Sequence, residues 1–165
     1  MADIVIVKNN VLPREGISLL EFGGADIGCT SEKAVVVKYK PEWVEQRCGQ
    51  SRFPIRKSFV KASAEVDVEM LDARLSNLQL AFNQASSNLS GCCLTVDDNV
   101  GEANTLKITG PGPGTQSRTF YFFQAIITSE VDYNIGINED TVLPLVFDCL
   151  HDETADKIFY VLDAA

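Results

Sequence analysis

Residues 60–83 read V-K-A-S-A-E-V-D-V-E-M, from Val60 to Met70, and then L-D-A-R-L-S-N-L-Q-L-A-F-N, from Leu71 to Asn83. In the first part Val60, Ala62, Ala64, Val66, Val68 and Met70 alternate with Lys61, Ser63, Glu65, Asp67 and Glu69. A strict period of two sends one set to each side of a β-strand, so one face is dry and the other wet. At Leu71 the period changes. Leu71, Leu75, Leu78 and Phe82 recur at steps of four, three and four, which is one face of a helix. Asp72 and Ser76 are the candidate caps, each able to accept a backbone N–H bond. A long two-faced strand running into a short amphipathic helix is therefore expected. A one-residue slip of register would bury three carboxylates, so the dry face fixes the strand in place.

The chain around this stretch is 165 residues long, which fits one domain spanning 1–165, with or without an extended arm. Its net charge is −9. That argues against a basic groove for a nucleic-acid backbone and is equally consistent with plain solubility. The start, M-A-D-I-V-I-V-K-N-N, has no basic region ahead of a long apolar run, and no apolar run approaches membrane length. Neither a signal peptide nor a membrane span is expected. The five cysteines, Cys29, Cys48, Cys92, Cys93 and Cys149, lack a framework spacing and read as reduced thiols of a protein made in the cytoplasm.

Outward from the central stretch, Ile4–Val7 and Ile17–Phe22 read as short strands and Val11–Gly16 as a turn. Phe22–Ser31 is a glycine-rich loop without the G-K-[ST] of a phosphate cradle. Lys33–Lys40 is a β-branched strand expected to stop at Pro41. Pro41–Lys57 mixes Trp43, Arg47, Arg52, Phe53 and Arg56 with Gly49 and Pro54. It reads either as an ordinary hairpin loop or as an arm anchored on another subunit, since Trp and Arg suit interface anchors. Gln84–Ala103 is a polar surface loop, Thr105–Thr109 a strand, and Gly110–Ser117 a turn or tip. Arg118–Ser129, R-T-F-Y-F-F-Q-A-I-I-T-S, is apolar on both faces in its first half, so both faces should be covered. Glu130–Asp140 is another turn region; Thr141–Cys149 is a strand with Pro144 inside, expected at an edge or a bulge; Ile158–Leu162 is the last strand. About seven strands and one helix predict a mostly β fold: an antiparallel β-sandwich or barrel with one flanking α-helix and an extended loop or hairpin arm.

The residues offer little chemistry. His151 lies two positions from Cys149, but Asp152 and Glu153 beside it mark an exposed turn rather than a nucleophile's base. Cys92 and Cys93 are adjacent rather than spaced for zinc. Glu65, Asp67 and Glu69 in a row on an open face do not form a cleft pair for glycoside chemistry. Asp97, Asp98, Asn99, Gly101 and Glu102 depart from calcium-loop spacing. No enzyme, cofactor or metal is expected.

The order of pieces nevertheless resembles the major tail tube proteins of long-tailed bacteriophages. I-G-C-T at Ile27–Thr30 is similar to a short turn near their N-termini. The basic and aromatic segment Trp43–Lys57, the alternating strand running into L-D-A-R-L-S-N-L-Q-L-A-F-N, and T-V-L-P-L-V-F-D-C-L-H-D at Thr141–Asp152 follow in the same sequence. The loop 84–103 has no counterpart in that pattern.

The resemblance implies a structural virion protein, assembled in the host cytoplasm and located in the tail. Six copies form a ring, rings stack into a hollow tube, and DNA passes through without sticking. Strands of neighbouring copies would join in one closed barrel that leaves no free strand edge, which would explain long strands without edge protection. Lys61, Ser63, Glu65, Asp67 and Glu69 would line an acidic channel. An arm at about 41–57, with Trp43, Arg47, Arg52, Phe53 and Arg56, would reach a neighbouring copy. Partners would be the chain itself and the tape-measure, terminator and baseplate proteins, with no membrane. The alternatives are a related tube protein, such as a tail terminator or a secretion-system tube, and a soluble β-sandwich binding module.

Overall fold

The computed structural model describes residues 19–28, 30, 35–47, 49, 56–71, 73–112, 116–131 and 142–164. The expected strand at Ile4–Val7, the turn at 11–16, Cys29, Cys48, Arg52, Phe53, Pro54, Asp72 and the turn residues 134–140 lie outside them.

Among the described residues, ten strands and one α-helix follow in the order β1 (Leu19–Phe22), β2 (Ala25–Asp26), β3 (Val36–Gln46), β4 (Arg56–Met70), α1 (Leu75–Ala81), β5 (Leu89–Ser90), β6 (Cys93–Leu94), β7 (Asn104–Pro111), β8 (Ser117–Ile127), β9 (Leu143–Leu150) and β10 (Phe159–Ala164). The main sheet runs β2-β1-β7-β8-β9-β4-β3, and every pairing in it is antiparallel. Strand β8 changes partner along its length. Its first part, residues 117–122, pairs with β10, and its last part, 124–127, pairs with β9. Strands β9 and β10 thus lie end to end beside β8, interrupted by the turn between them.

The sheet folds over on itself where β8 passes from β10 to β9. Phe22 of β1 meets Phe147 of β9 at 5.4 Å between ring centres, although the two strands are not neighbours. Tyr39 of β3 likewise meets Phe159 of β10 at 6.0 Å. The result is sandwich-like, with β3, β4 and β9 over β1, β7, β8 and β10. Ala64, Val66, Val68 and Met70 from β4 pack with Leu20, Phe22, Leu106, Ile108, Phe122, Ile127, Leu143, Leu145 and Phe147 in one core. Each fully buried Val, Leu or Phe contributes about 1.5–3 kcal/mol.

Several expectations are corrected. Strand β3 does not stop at Pro41 but runs through it to Gln46, with Pro41 opposite Ala62. It is the last strand of the sheet, and an edge strand tolerates a residue without an N–H. Pro41, without an N–H, blunts this edge, contrary to the expectation of unprotected strands. The helix begins at Leu75, with Arg74 at its N-cap and no side-chain cap bond, so Ser76 lies inside it. Leu71 is 46% exposed, and the buried helix positions are Asn77, Gln79 and Ala81 rather than a leucine stripe; Leu78 and Leu80 are half-buried against the core. The amides are accommodated because Asn77 Nδ2 donates to Ile27 O at 2.8 Å and Gln79 Nε2 to Gln84 O at 3.0 Å.

The loop after α1 is more ordered than its composition foretells. It holds a 3₁₀ turn, Ser86–Asn88, and the β5–β6 hairpin, and Gln84 Oε1 accepts bonds from Asn88 Nδ2 and the Asp97 backbone. The described start of the glycine-rich loop is a two-residue hairpin turn between β1 and β2. Gly23 and Gly24 adopt φ of +60° and +81°, the left-handed pair that such turns demand. Pro144 sits in β9, where the described pairing is with Glu69 of β4 alone, because the β8 ladder begins at Phe147. Strand β9 is interior as a whole and an edge only at its start.

Candidate self-assembly surfaces

Strand β9 covers β4 only from Ala64 to Met70. Residues 56–63 of β4 pair with β3 alone and project with it as a two-stranded ribbon. A hairpin without further support is marginal in water. Here it also carries apolar surface, with Trp43, Val44, Phe59 and Val60 each more than half exposed. Trp43 and Phe59 sit opposite each other and meet edge to face at 5.5 Å. Val60, expected on the dry face, is exposed because neither β9 nor the opposite layer extends over it.

Of the expected arm residues, Trp43, Arg47 and Arg56 are on or next to this ribbon and exposed, while Arg52 and Phe53 lie outside the described residues. Arg47 and Lys57 both reach Glu45, at 3.2 and 3.0 Å. Lys57 first and then Arg47 hold the Glu45 carboxyl below the usual carboxylate range. Phe59 was missed by the sequence reading. The period-two pattern marks it only as a strand residue, and nothing in it tells that the covering strand stops five positions later.

The expected channel-lining residues do share a face. Glu65, Asp67 and Glu69 are half-buried and alternate with the buried Ala64, Val66, Val68 and Met70, while Lys61 and Ser63 lie on the exposed ribbon. The face is not simply acidic. Lys38 of β3 donates to Glu65 Oε1 at 2.8 Å and also pairs with Asp67, and Lys40 lies 3.6 Å from Glu65 Oε2. Lys61 pairs with Glu42 at 3.3 Å. The two carboxylates raise the Lys38 pKa, Asp67 most, and Lys38 lowers that of Glu65. Asp148 of β9 lies directly opposite Glu65, adding a carboxylate to the same face. The face is a cross-strand ladder of both signs, and its lysines were overlooked because they belong to a different strand.

Strand β8 was expected to be covered on both faces. Its inner face is, with Phe122 fully buried. On its outer face Tyr121 stacks on Tyr160 at 5.2 Å, and Phe123 meets both, at 5.4 and 5.7 Å. Tyr121 and Phe123 are half-buried. Tyr160 is 43% exposed, and Leu162, two residues along the same face of β10, is 55% exposed.

A cleft of about 560 Å³ opens between the β1–β2 hairpin, α1 and the lobe at 84–103, with Asp26, Asn83, Glu102 and Asn104 on its walls. Cys149 is buried, and burial first, then Asp148, pushes its thiol up to about 12. His151 bonds instead to Asp156 Oδ1 at 3.1 Å in an exposed turn. Among the described residues no group of three or more His, Cys, Asp or Glu side chains is placed to hold a metal ion, and no helix is long and apolar enough to cross a membrane.

Comparison of the chain with protein-family models and with curated proteins finds no match.

Proposed function

We propose that this chain is a structural subunit that polymerises, in the manner of a long-tailed phage's tail tube protein, as stacked six-membered rings around a channel for DNA. The observation that carries the reading is the β3–β4 ribbon. It extends past its supporting strand and exposes Trp43, Val44, Phe59 and Val60. Isolated apolar residues on a surface are ordinary, but four together on a two-stranded projection form a patch that suits burial against a neighbour. If the ribbon meets a different patch of the neighbour, the heterologous contact closes into a ring or extends as a filament. The mixed ladder of Lys38, Lys40, Glu65 and Asp67 is compatible with a channel wall that offers phosphates no cluster of free cations. Tape-measure, terminator and baseplate proteins would be the further partners, and the virion tail the location.

A second reading, a soluble binding module, is favoured by the cleft between α1 and the 84–103 lobe. Negative-stain microscopy and sedimentation of the purified chain separate the two. Rings or tubes are the outcome expected of a tube subunit. A monodisperse monomer at high concentration would overturn that reading and leave the binding module.

A further inference from the structure

We propose that the ribbon of one copy docks its Trp43–Phe59 pair on the outer aromatic face of a second copy, formed by Tyr121, Phe123, Tyr160 and Leu162. This deepens the polymerising reading and rests on it. Both surfaces are apolar and rich in rings: Trp43, Phe59, Tyr160 and Leu162 are exposed, and Tyr121 and Phe123 are half-buried. Aromatic side chains gain most from mutual burial and from edge-to-face or offset contacts.

Charge selects a second copy as the occupant. The ribbon and its end carry Arg47, Arg56, Lys57 and Lys61 against Glu42 and Glu45, a positive excess in a chain whose net charge is −9. The turn leading into β10 carries Asp152, Glu153 and Asp156 against Lys157 alone among permanent charges, a negative excess at the Tyr160 end of the aromatic face. Whole copies therefore repel one another, while the ribbon of one attracts the β10 end of another. The ribbon has two free backbone edges, and each is interrupted: β3 carries Pro41, which has no N–H, and β4 carries the extra residue Val60 at its register shift, so the docking goes through side-chain faces rather than strand addition. Donor and acceptor surfaces are different parts of one chain, so the contact is heterologous and repeats from copy to copy.

The test uses the full chain with a benzophenone amino acid in place of Trp43, mixed with isotope-labelled copies and photolysed in the assembled state. The expected products join the probe to peptides 118–124 or 158–164 of a differently labelled copy. Products within one copy, or between copies at any other surface, overturn the docking. In parallel, Tyr160→Asp should weaken association about tenfold or more while circular dichroism stays that of the folded sheet; unchanged association by a folded variant also overturns it. If the unsubstituted chain remains monomeric at every concentration, the polymerising reading itself fails. If it assembles but the cross-links fall elsewhere, only the docking surface is wrong.

Discussion

Residues 64–70 and residues 56–63 belong to the same strand, and both halves pair with β3, yet only one half builds the core. In the first half Val66, Val68 and Met70 are at most 2% exposed; in the second, Phe59 and Val60 are more than 50% exposed. The difference is not composition. Strand β9 flanks the first half and the opposite layer closes over it, whereas the second half has β3 and nothing else among the described residues. Alternation decides which side of a strand a residue points to; the length of the neighbours decides whether that side is covered. One half is bound to the fold, and the other stays open to solvent.

Truncation should separate the halves most sharply. Phe147 is fully buried opposite Val66 and against Phe22, so Phe147→Ala should cost about 3–5 kcal/mol through lost transfer energy and a cavity. Trp43→Ala removes a ring that already faces solvent, and its cost to a dilute monomer should stay within about 1 kcal/mol. Urea unfolding of both variants at low protein concentration provides the measurement. Equal losses would mean that the ribbon is as much part of the folding core as β9, and the contrast between the halves would fail. Under the proposed assembly the ranking should change at high concentration, because the tryptophan would then enter an interface.

The core half was legible in the sequence because burial there follows a local rule. A period of two between Ala64 and Met70 can be read from seven letters. The class of fold followed from counting such runs. What depended on distant partners was not legible. The expected end of β3 at Pro41 was wrong because the strand's edge position, which makes proline tolerable, is set by the sheet order. The helix face was misread because Asn77 is satisfied by the Ile27 carbonyl, fifty positions away. The expected channel residues were found on their own strand, but Lys38 and Lys40, which neutralise two of them, arrive from β3. The polar lobe at 84–103 showed no periodicity at all, since side-chain amide bonds rather than an apolar face order it.

The ladder that spans the boundary allows a gentler test. Lys38→Met removes the cation shared by Glu65 and Asp67 while keeping an apolar stem against the strand. All three groups are near solvent, so the loss should be well below that of Phe147→Ala and should shrink in high salt. Its pH dependence has a definite sign. The folded Glu65 carboxyl titrates below its ordinary value, so its contribution is present above the ordinary carboxylate range and is lost as pH falls through the lowered value. The gap in melting temperature between wild type and Lys38→Met should therefore be open at neutral pH and close in acid. A gap that persists after the carboxylates are protonated would show that Lys38 acts by packing and not by charge.

The smallest expected effect is the finest probe of where cover ends. Cys149 lies opposite Ala64, the last residue of β4 that β9 reaches. Its thiol is buried and pushed up to about 12. Burial and the neighbouring carboxylate keep the thiol protonated, and the thiolate is the reacting form. Cys92 and Cys93 are free and exposed on the β5–β6 hairpin. Alkylation resolved by site in mass spectrometry should thus modify these two quickly and Cys149 only at the rate at which the strand ends open. If the ribbon frays as an independent unit, Trp43→Ala leaves the Cys149 rate unchanged, because the boundary at Ala64 holds. If that variant accelerates Cys149, fraying runs past Ala64 into the core, and the two halves of β4 are one cooperative strand after all.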